Sequence, residues 1–431
     1  MHVRLGIWKS VLFNIGIFLF LCILSNLSYG QKAVLSSRWF HPRDLHDSVK
    51  TIDAIKYFKP QRIDWTYTED VKTTDVYREM GLSYSLTLNP QYPDSVGYTN
   101  LKYRIKSIDG LGYIAPWMRN WNITNPYWGC VNNPLFKDLF FRKAEKLLKL
   151  GAYGIFIDDA LFNAQLKLDK PNSYGCFCEY CLEGYSKRSG AINIGRLDKL
   201  QIKNELKNNK YFIKDYEKYQ EESVVIFLSQ LKKKLLEQNT NIKLLTNNGN
   251  GEWNNIYKVF DRGVAELGVG NLNILYLSKA YRLADELQKT QLFTLVSNNI
   301  VLQDWLLFYN YLNGRDYVIP WDILVDTKSR KRFYMKPEYF KKTMNFLKGE
   351  IIGFNNISNS SINDNLWVKV LKLNDKNMRL IVLNAAPTKI PEKEFTRDAS
   401  TLMKNLNYSK VLKTSLVIDN GKYAIYNLIL R

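Results

Sequence analysis

The chain has 431 residues, which is too long for one small core and fits a large domain with a smaller one beside it. Hydrophobic residues make up 46% and charged residues 24%, as in globular, water-soluble proteins. The formal net charge of +20 favours anionic partners, but the lysines are scattered and form no long block. A solvated lysine-rich surface explains the charge as well, and no nucleic-acid partner is expected.

The first thirty residues have the pattern of an export signal. Arg4 and Lys9 are positively charged, and the segment 11–24 is mostly apolar. Ser28 and Gly30 then supply small residues at the positions that a signal peptidase recognises. This apolar run is shorter than the roughly 20 residues that span a bilayer, which favours a signal over an uncleaved anchor. We expect residues 1–30 to be removed and the mature protein to be periplasmic or extracellular.

Beyond the signal, short β-rich runs alternate with longer amphipathic segments, as in a barrel of parallel strands and helices. Strands are predicted at 33–40, 62–68, 84–89, 153–158, 242–246, 263–267, 292–297 and 317–321. One helix between them is well defined, because Asn133 and Pro134 begin it and Gly151 follows its end. We predict an α/β fold with a (β/α)8 TIM barrel over residues 31–354 and a small antiparallel β domain over 355–431.

The fourth strand ends in two consecutive carboxylates, Asp158 and Asp159. Two charges at the mouth of an otherwise apolar strand are costly unless they are used or paired. Alternation along the strand points the two side chains to opposite sides, and we expect Asp159 to face the barrel interior and Asp158 to support it. A helix cap or a salt bridge in a loop is the alternative explanation.

A further acid, Glu266, lies at the end of the sixth strand, where a barrel directs side chains into the cleft. Two carboxylates that flank a sugar ring suffice for glycoside hydrolysis, one as nucleophile or base and the other as acid. Asp159 and Glu266 are therefore the predicted catalytic pair, with the order of roles open.

Polar and aromatic side chains also follow nearly every other predicted strand. Amides, arginine and aspartate hydrogen-bond hydroxyl groups, and tryptophan stacks on sugar faces. The predicted substrate-binding residues are Arg38, His41, Asp64, Trp65, Trp117, Arg119, Asp158, Asn247, Asn248, Asn298, Trp321 and Asp322. The expected partner is a carbohydrate, with acidic polysaccharides among the candidates.

Other enzyme classes receive little support. The chain has three histidines, one of them in the signal, which argues against a histidine-rich catalytic metal site. No GxSxG elbow, P-loop or GxGxxG motif follows a suitable strand, which argues against an esterase, a kinase or a dehydrogenase. No catalytic cofactor is expected.

Four of the five cysteines lie outside the signal, namely Cys130, Cys176, Cys178 and Cys181. The last three fall close together in a Cys-x-Cys-x-x-Cys motif, and a tetrahedral zinc site with four cysteine ligands is the natural interpretation. An ion with four protein ligands has no open position, so it would brace the chain and take no part in catalysis. In an oxidising compartment, two disulfides are the alternative.

A lone cysteine before the fourth strand and this motif after it resemble the zinc site of bacterial β-galactosidases with trimeric barrels. The stretch 151–159 is similar to one found in a broad set of uncharacterised glycosyl-hydrolase-like barrel proteins. The resemblance implies a glycosidase barrel with structural zinc and a later β domain.

The resemblance does not extend to β-galactosidase activity. Those enzymes carry Asn-Glu after strand four and Glu on strand seven, whereas the strands here end in Asp158-Asp159 and Ser297-Asn298-Asn299. The placement of the acids resembles α-galactosidase-like and α-fucosidase-like barrels instead, which slightly favours an α-linked substrate. Two functions stay open: a retaining or inverting glycosidase, and a non-catalytic glycan-binding protein on a degenerate barrel.

Overall fold

A computed structural model describes residues 33–36, 55–56, 58–91, 101–119, 126–169, 174–189, 198–297, 299–320, 337–352, 365–405 and 411–431. The predicted export signal lies outside these ranges. So do five of the predicted substrate-binding residues, which are Arg38, His41, Asn298, Trp321 and Asp322. Within the described ranges, no helix combines the length and the apolar character needed to cross a membrane.

Eight parallel strands form a nearly closed barrel, which confirms the predicted architecture. The strands are β1 (Ala33–Ser36), β2 (Arg62–Thr66), β3 (Ser83–Leu88), β4 (Gly154–Ile157), β5 (Lys243–Asn247), β6 (Arg262–Leu267), β7 (Thr290–Leu295) and β8 (Tyr317–Pro320). Their order is β7-β6-β5-β4-β3-β2-β1-β8, and β7 and β8 at its two ends lie in contact. The carboxyl ends of all eight strands therefore meet at one rim.

Helices connect the strands and cover the outside of the barrel. They are α1 (Val71–Glu79), α2 (Pro134–Lys149), α3 (Leu166–Asp169), α4 (Glu179–Ser189), α5 (Lys199–Asn208), α6 (Lys210–Gln238), α7 (Ile274–Glu286), α8 (Ile300–Leu312) and α9 (Pro337–Phe346). Asn133 begins α2 as predicted, because its side-chain oxygen accepts hydrogen bonds from the N–H groups of Leu135 and Phe136. The cysteine-rich insertion between β4 and β5 contains α3, α4 and α5.

The inward-facing side chains form an apolar layer inside the barrel. Its members are Val34, Trp65, Phe156, Leu245, Val264, Leu292 and Val318. Paired residues of a parallel ladder point to the same face, and Phe156 pairs with Leu245 while Asn247 pairs with Val264. The positions two residues beyond this layer therefore also face the interior, nearer the rim.

A second, antiparallel sheet follows the barrel, as predicted. It contains β9 (Glu350–Ile352), β10 (Leu366–Lys372), β11 (Asn377–Asn384), β12 (Val411–Asp419) and β13 (Tyr423–Leu430), in the order β12-β13-β11-β10-β9. The sheet begins at Glu350, a few residues before the expected boundary at 355. A helix, α10 (Glu392–Asn405), covers one of its faces with Phe395, Ala399 and Leu402.

The other face of this sheet packs against α8 of the barrel. The ring centroids of Phe308 and Tyr423 lie 4.9 Å apart, and those of Tyr309 and Trp367 lie 5.4 Å apart. The Trp305 indole N–H donates a hydrogen bond of 2.9 Å to the carbonyl oxygen of Asn384. The barrel and the β domain therefore share one continuous core.

Candidate active site

Asp158 lies on the interior face at the end of β4. Its backbone N–H donates to the carbonyl oxygen of Leu88 at 2.8 Å, so the parallel pairing with β3 continues through it. Two residues earlier, Phe156 belongs to the interior apolar layer, and alternation places Asp158 on the same side. Asp158 therefore occupies the interior position that was expected for Asp159. Asp158 is buried, and its Oδ2 accepts a hydrogen bond from the hydroxyl of Tyr67.

Asp159 begins the turn that leaves the strand. Its φ is +54°, in the left-handed region, and its N–H donates to Asp158 Oδ1 at 3.1 Å. Burial and the nearby carboxylates of Glu252, Asp159 and Asp158 raise the pKa of Tyr257, which lies in the β5–β6 connection. Both carboxylates therefore lie near enough to Tyr257 to act on it electrostatically.

Glu266 lies on β6 with its side chain on the interior face, since it alternates with Val264 of the apolar layer. Asn247, the last residue of β5, donates from Nδ2 to Glu266 Oε2 at 2.8 Å. The same amide accepts from the N–H of Gly249 at 3.1 Å, which fixes its orientation. Because β4, β5 and β6 are neighbours, Asp158, Asn247 and Glu266 occupy three consecutive interior positions at the rim.

An irregularity in β2 brings Tyr67 into this group. The register with β3 shifts between Ile63 and Thr66, and Trp65 has a φ of +61°. Its N–H donates to Ser85 Oγ at 3.0 Å instead of continuing the ladder. A bulge reverses the alternation beyond it, so Trp65 and Tyr67 both face inward. Tyr67 is not among the predicted site residues, because regular alternation from Asp64 points it outward.

Trp65 is not a sugar-stacking surface. Its side chain is 1% exposed, and its ring stacks on Phe156 with centroids 4.6 Å apart and planes inclined by 16°. It belongs to the apolar layer beneath the rim, which corrects its predicted role in substrate binding.

Asp64 is also enclosed, at the opposite end of the barrel from the rim. Its Oδ2 accepts from Arg62 Nε at 2.8 Å, and its Oδ1 accepts from the hydroxyl of Tyr153. Arg62 also binds Asp316 at 2.6 Å, and Arg262 donates to the Tyr153 hydroxyl at 3.1 Å. Arg62 and Arg262 begin their strands, so this network closes the amino-terminal end. Asp64 is 1% exposed and is a structural residue, contrary to its predicted role.

Asn248 is also a structural residue, contrary to its predicted role in substrate binding. It is fully buried, and its side chain forms a reciprocal amide pair with Gln291, at 2.8 and 3.2 Å. It points away from the interior because it follows Asn247 along the strand. Trp117 and Arg119, by contrast, are exposed in the long β3–α2 connection, and Trp117 packs against Trp128 with ring centroids 5.9 Å apart.

The four predicted cysteine ligands lie together. Cys130 Sγ is 3.5 Å from Cys178 Sγ and 3.4 Å from Cys181 Sγ, and all four sulfur atoms lie within 4.8 Å of one another. These separations exceed the roughly 2.05 Å of a disulfide bond, and all four residues are free thiols. Tetrahedral zinc with Zn–S bonds of about 2.3 Å needs this kind of cluster.

The surroundings of the cysteines also suit a metal ion. Amide N–H groups point at the sulfur atoms, from Asn132 at 3.3 Å and from the backbone of Lys106 at 3.4 Å. Such donors stabilise thiolates, which are the form that binds a metal. Burial raises the pKa of the Cys176 and Cys181 thiols, and a divalent cation would offset that effect. The four buried cysteines therefore form a site that can bind a metal.

Comparison with known proteins gives fold relationships alone. No protein-family model matches the chain, and no curated protein is similar to it in sequence. Among solved structures, Eubacterium rectale Amy13B is 9% identical with a TM-score of 0.46, over 92% of this chain and 95% of that one. Alpha-L-fucosidase isoenzyme 2 from Paenibacillus thiaminolyticus is 10% identical with a TM-score of 0.48, over 73% of this chain and 48% of its own. The β-galactosidase of Marinomonas ef1 is 10% identical with a TM-score of 0.49, over 73% of this chain and 59% of its own.

Proposed function

We propose that this protein is an exported glycoside hydrolase that cleaves a glycosidic bond in an oligo- or polysaccharide. The observation that carries the proposal is the presence of Asp158 and Glu266 on the interior face at the ends of β4 and β6, with the Asn247 amide of the intervening strand β5 between them. Barrel enzymes hold their reacting groups at this rim, and a carboxylate pair is what glycoside hydrolysis requires. The export part of the proposal rests on the pattern of the first thirty residues.

Within the site, Asp158 is proposed as the nucleophile or base and Glu266 as the acid. Asp158 accepts hydrogen bonds at both carboxylate oxygens, from Tyr67 and from the backbone of Asp159. Two donors fix the orientation of this carboxylate, as in-line attack or water activation requires. The sequence predicts Asp159 as the partner of Glu266. Asp159 is kept as the alternative nucleophile or base because it directly follows Asp158.

The substrate contacts are proposed from residues at the ends of the barrel strands and in the segments that follow them along the chain. The Asn247 amide contacts Glu266 of the carboxylate pair. Trp117 and Arg119 are exposed in the connection after β3. An exposed indole offers a flat face to a sugar ring, and an arginine offers donors to hydroxyl or carboxylate groups. The other proposed contacts are Arg38, His41, Asn298, Trp321 and Asp322.

A structural zinc ion bound by Cys130, Cys176, Cys178 and Cys181 completes the proposal. It is supported by the sulfur cluster, by the N–H donors around it and by sulfur separations too long for disulfide bonds. Zinc held by four thiolates supplies bracing and no reactive water. Metal analysis of native protein is expected to find one zinc ion per chain, and the finding of two intact disulfides would contradict it.

The proposed chemistry is tested with the variants Asp158→Asn, Asp159→Asn and Glu266→Gln. Wild-type protein is first screened against α- and β-linked aryl glycosides and polysaccharides. We expect Asp158→Asn and Glu266→Gln to lower kcat by roughly 10²–10⁴-fold, as loss of a positioned acid or base does, and Asp159→Asn to have a smaller effect. Asp138→Asn, on the exposed surface of α2, is the matched control.

Three outcomes would change the proposal. Wild-type turnover by both Asp158→Asn and Glu266→Gln would exclude this carboxylate pair. A large loss in Asp159→Asn without one in Asp158→Asn would identify Asp159 as the partner of Glu266. Glycan binding by intact protein without turnover of any substrate would identify a non-catalytic binding protein.

A further inference from the structure

We propose that Asn163 couples the cysteine cluster to the turn that carries Asp158 and Asp159, so that a bound metal ion orders this turn. The inference rests on the proposed metal site. It concerns the conformation of the chain, and it holds whether or not the barrel hydrolyses a glycoside.

Asn163 lies between the two sites along the chain and in space. It belongs to a short 3-10 helix (Phe162–Gln165) that follows the turn after Asp159, and it is fully buried. Its Oδ1 accepts from the N–H of Val131 at 3.2 Å. Its Nδ2 is 3.4 Å from Cys130 Sγ and 3.5 Å from Cys181 Sγ. This amide therefore joins the segment after β4 directly to two of the four sulfur atoms.

The chemistry of these contacts depends on the state of the sulfur atoms. Asn163 Nδ2 also donates to Gln220 Oε1 at 3.0 Å, which uses one of its two hydrogens. The other hydrogen is directed at Cys130 and Cys181. Four thiolates around a divalent cation carry a net charge of −2, and thiolates accept hydrogen bonds more strongly than neutral thiols. Metal binding therefore strengthens the hydrogen bonds from Asn163 Nδ2 to the sulfur atoms of Cys130 and Cys181.

The turn after β4 has a strained backbone that needs stabilising contacts. Asp159 has a φ of +54° and Phe162 a φ of +41°, both in the left-handed region that residues with a Cβ seldom adopt. Backbone of this kind persists where surrounding contacts over-determine it. The Phe162 ring supplies apolar contacts, with centroids 5.6 Å from Phe140 and 5.3 Å from Phe227. Asn163, the next residue, supplies the polar anchor, and its partner is the cysteine cluster.

Asn132 provides a matched comparison. Its Nδ2 also donates to Cys181 Sγ, at 3.3 Å, and to Ser223 Oγ at 3.2 Å. It lies before α2 and not in the turn after β4. Loss of the Asn132 amide therefore weakens the shell around the metal without cutting the link to Asp158 and Asp159.

The experiment measures hydrogen–deuterium exchange of the segment 158–166 in full-length protein, loaded with zinc and after removal of zinc by a chelator under reducing conditions. In the wild type we expect faster exchange of this segment after zinc is removed. In Asn163→Leu we expect fast exchange even with zinc bound, and little further change on removal. Asn132→Leu is expected to keep the wild-type protection while zinc is bound. Both variants are expected to lose zinc to a chelator roughly 10–100-fold more readily than the wild type.

The proposal is overturned if zinc removal leaves the exchange of 158–166 unchanged in the wild type, or if Asn163→Leu behaves as Asn132→Leu. It is also overturned if the protein takes up neither zinc nor cobalt. The wild-type comparison stands even if Asn163→Leu does not fold. Because exchange is measured without substrate, a failure of the proposed glycosidase activity is recognised separately, by normal coupling in a protein without turnover.

Discussion

In the described part of the rim, the hydroxyl of Tyr67 donates a hydrogen bond to Asp158. Tyr67 directly follows β2, which lies two positions from β4 in the sheet. The hydroxyl reaches Asp158 because the β2 bulge turns Tyr67 inward beside the Trp65–Phe156 stack. In the proposed mechanism, this contact holds the carboxylate toward the substrate. Tyr67 is therefore a positioning residue, which acts through Asp158.

We predict that Tyr67→Phe lowers kcat by roughly 10–100-fold and leaves KM nearly unchanged. A hydrogen bond to a charged group contributes about 1.5–3 kcal/mol, and here it orients a group that acts in the chemical step. Steady-state kinetics on any substrate found for the wild type measures the effect. Tyr211→Phe is the control, because Tyr211 is 87% exposed. A wild-type kcat in Tyr67→Phe would remove Tyr67 from the mechanism.

The sequence identified the four cysteines that cluster in the structure but not the orientation of the aspartates. Cys176, Cys178 and Cys181 lie close together along the chain, and the fold brings Cys130 to them. Asp158 and Asp159 differ by one position, and which of them faces inward depends on where the strand ends. Tyr67 faces inward because of a bulge in β2 that the residue pattern of the strand does not predict. Local backbone irregularity, which composition does not encode, therefore decided these assignments.

At the level of single elements, the contact between β4 and β5 depends on Gly154. A Cβ added there would lie 2.5 Å from Leu245 Cδ1 and 3.0 Å from the carbonyl oxygen of Lys243. The leucine can adjust, but the carbonyl oxygen belongs to the neighbouring strand and is fixed by the ladder. Glycine at the start of β4 thus permits the close packing of the barrel wall beneath Asp158.

We predict that Gly154→Ala lowers the free energy of unfolding by about 1–3 kcal/mol, the usual cost of overpacking. Gly268→Ala is the matched control, because that glycine has a φ of −72° and no atom would lie within 4 Å of its new Cβ. Urea denaturation followed by circular dichroism compares the two. Equal stability of the two variants would show that β4 and β5 can separate without cost.

The alternation of strands and helices made the barrel predictable, since short β-rich runs are separated by longer amphipathic segments. The register was not predictable in the same way. Asn247 and Asn248 are adjacent amides at the end of β5, yet Asn248 pairs with buried Gln291 and Asn247 with Glu266. Only the strand pairing distinguishes a structural amide from one that faces the rim.

For the molecule as a whole, Asp304 joins the barrel to the β domain. It lies on α8, accepts from Thr343 of α9 at 2.8 Å and from Tyr423 of β13 at 3.1 Å, and is 7% exposed. Burial raises its pKa to about 6, even though the two hydroxyl donors act in the opposite direction. The junction between the two parts of the chain therefore contains a carboxyl group that titrates in a mildly acidic range.

The sign of the resulting pH dependence follows from linkage. The folded protein holds this proton more tightly than the unfolded chain, whose aspartates titrate near pH 4. The stabilisation is complete below about pH 4 and is lost as the pH rises to about 6. The difference between a pKa near 4 and one of about 6 corresponds to a change in the free energy of unfolding on the order of 3 kcal/mol.

We predict that Asp304→Asn, which resembles the protonated acid, is more stable than the wild type at pH 8 by on the order of 1–3 kcal/mol and equally stable at pH 4. Urea denaturation at the two pH values measures the difference. Asp109→Asn, at an exposed surface pair, should show no such pH-dependent gain. A variant that is less stable at both pH values would show that the ionised carboxylate is needed at the junction.

The burial of α8 has a consequence for how the protein is made. Every residue of this helix from Leu302 to Asn310 is buried, between the strands on one side and the second sheet on the other. Synthesis from the amino terminus delivers α8 and β8 well before β10 and β13, which cover the helix. Until the last strands arrive, a completed barrel presents Trp305 and Phe308 to water. We therefore expect the nascent chain to bind chaperones over this interval, and a chain cut short after β8 to be degraded faster by proteases than the full chain.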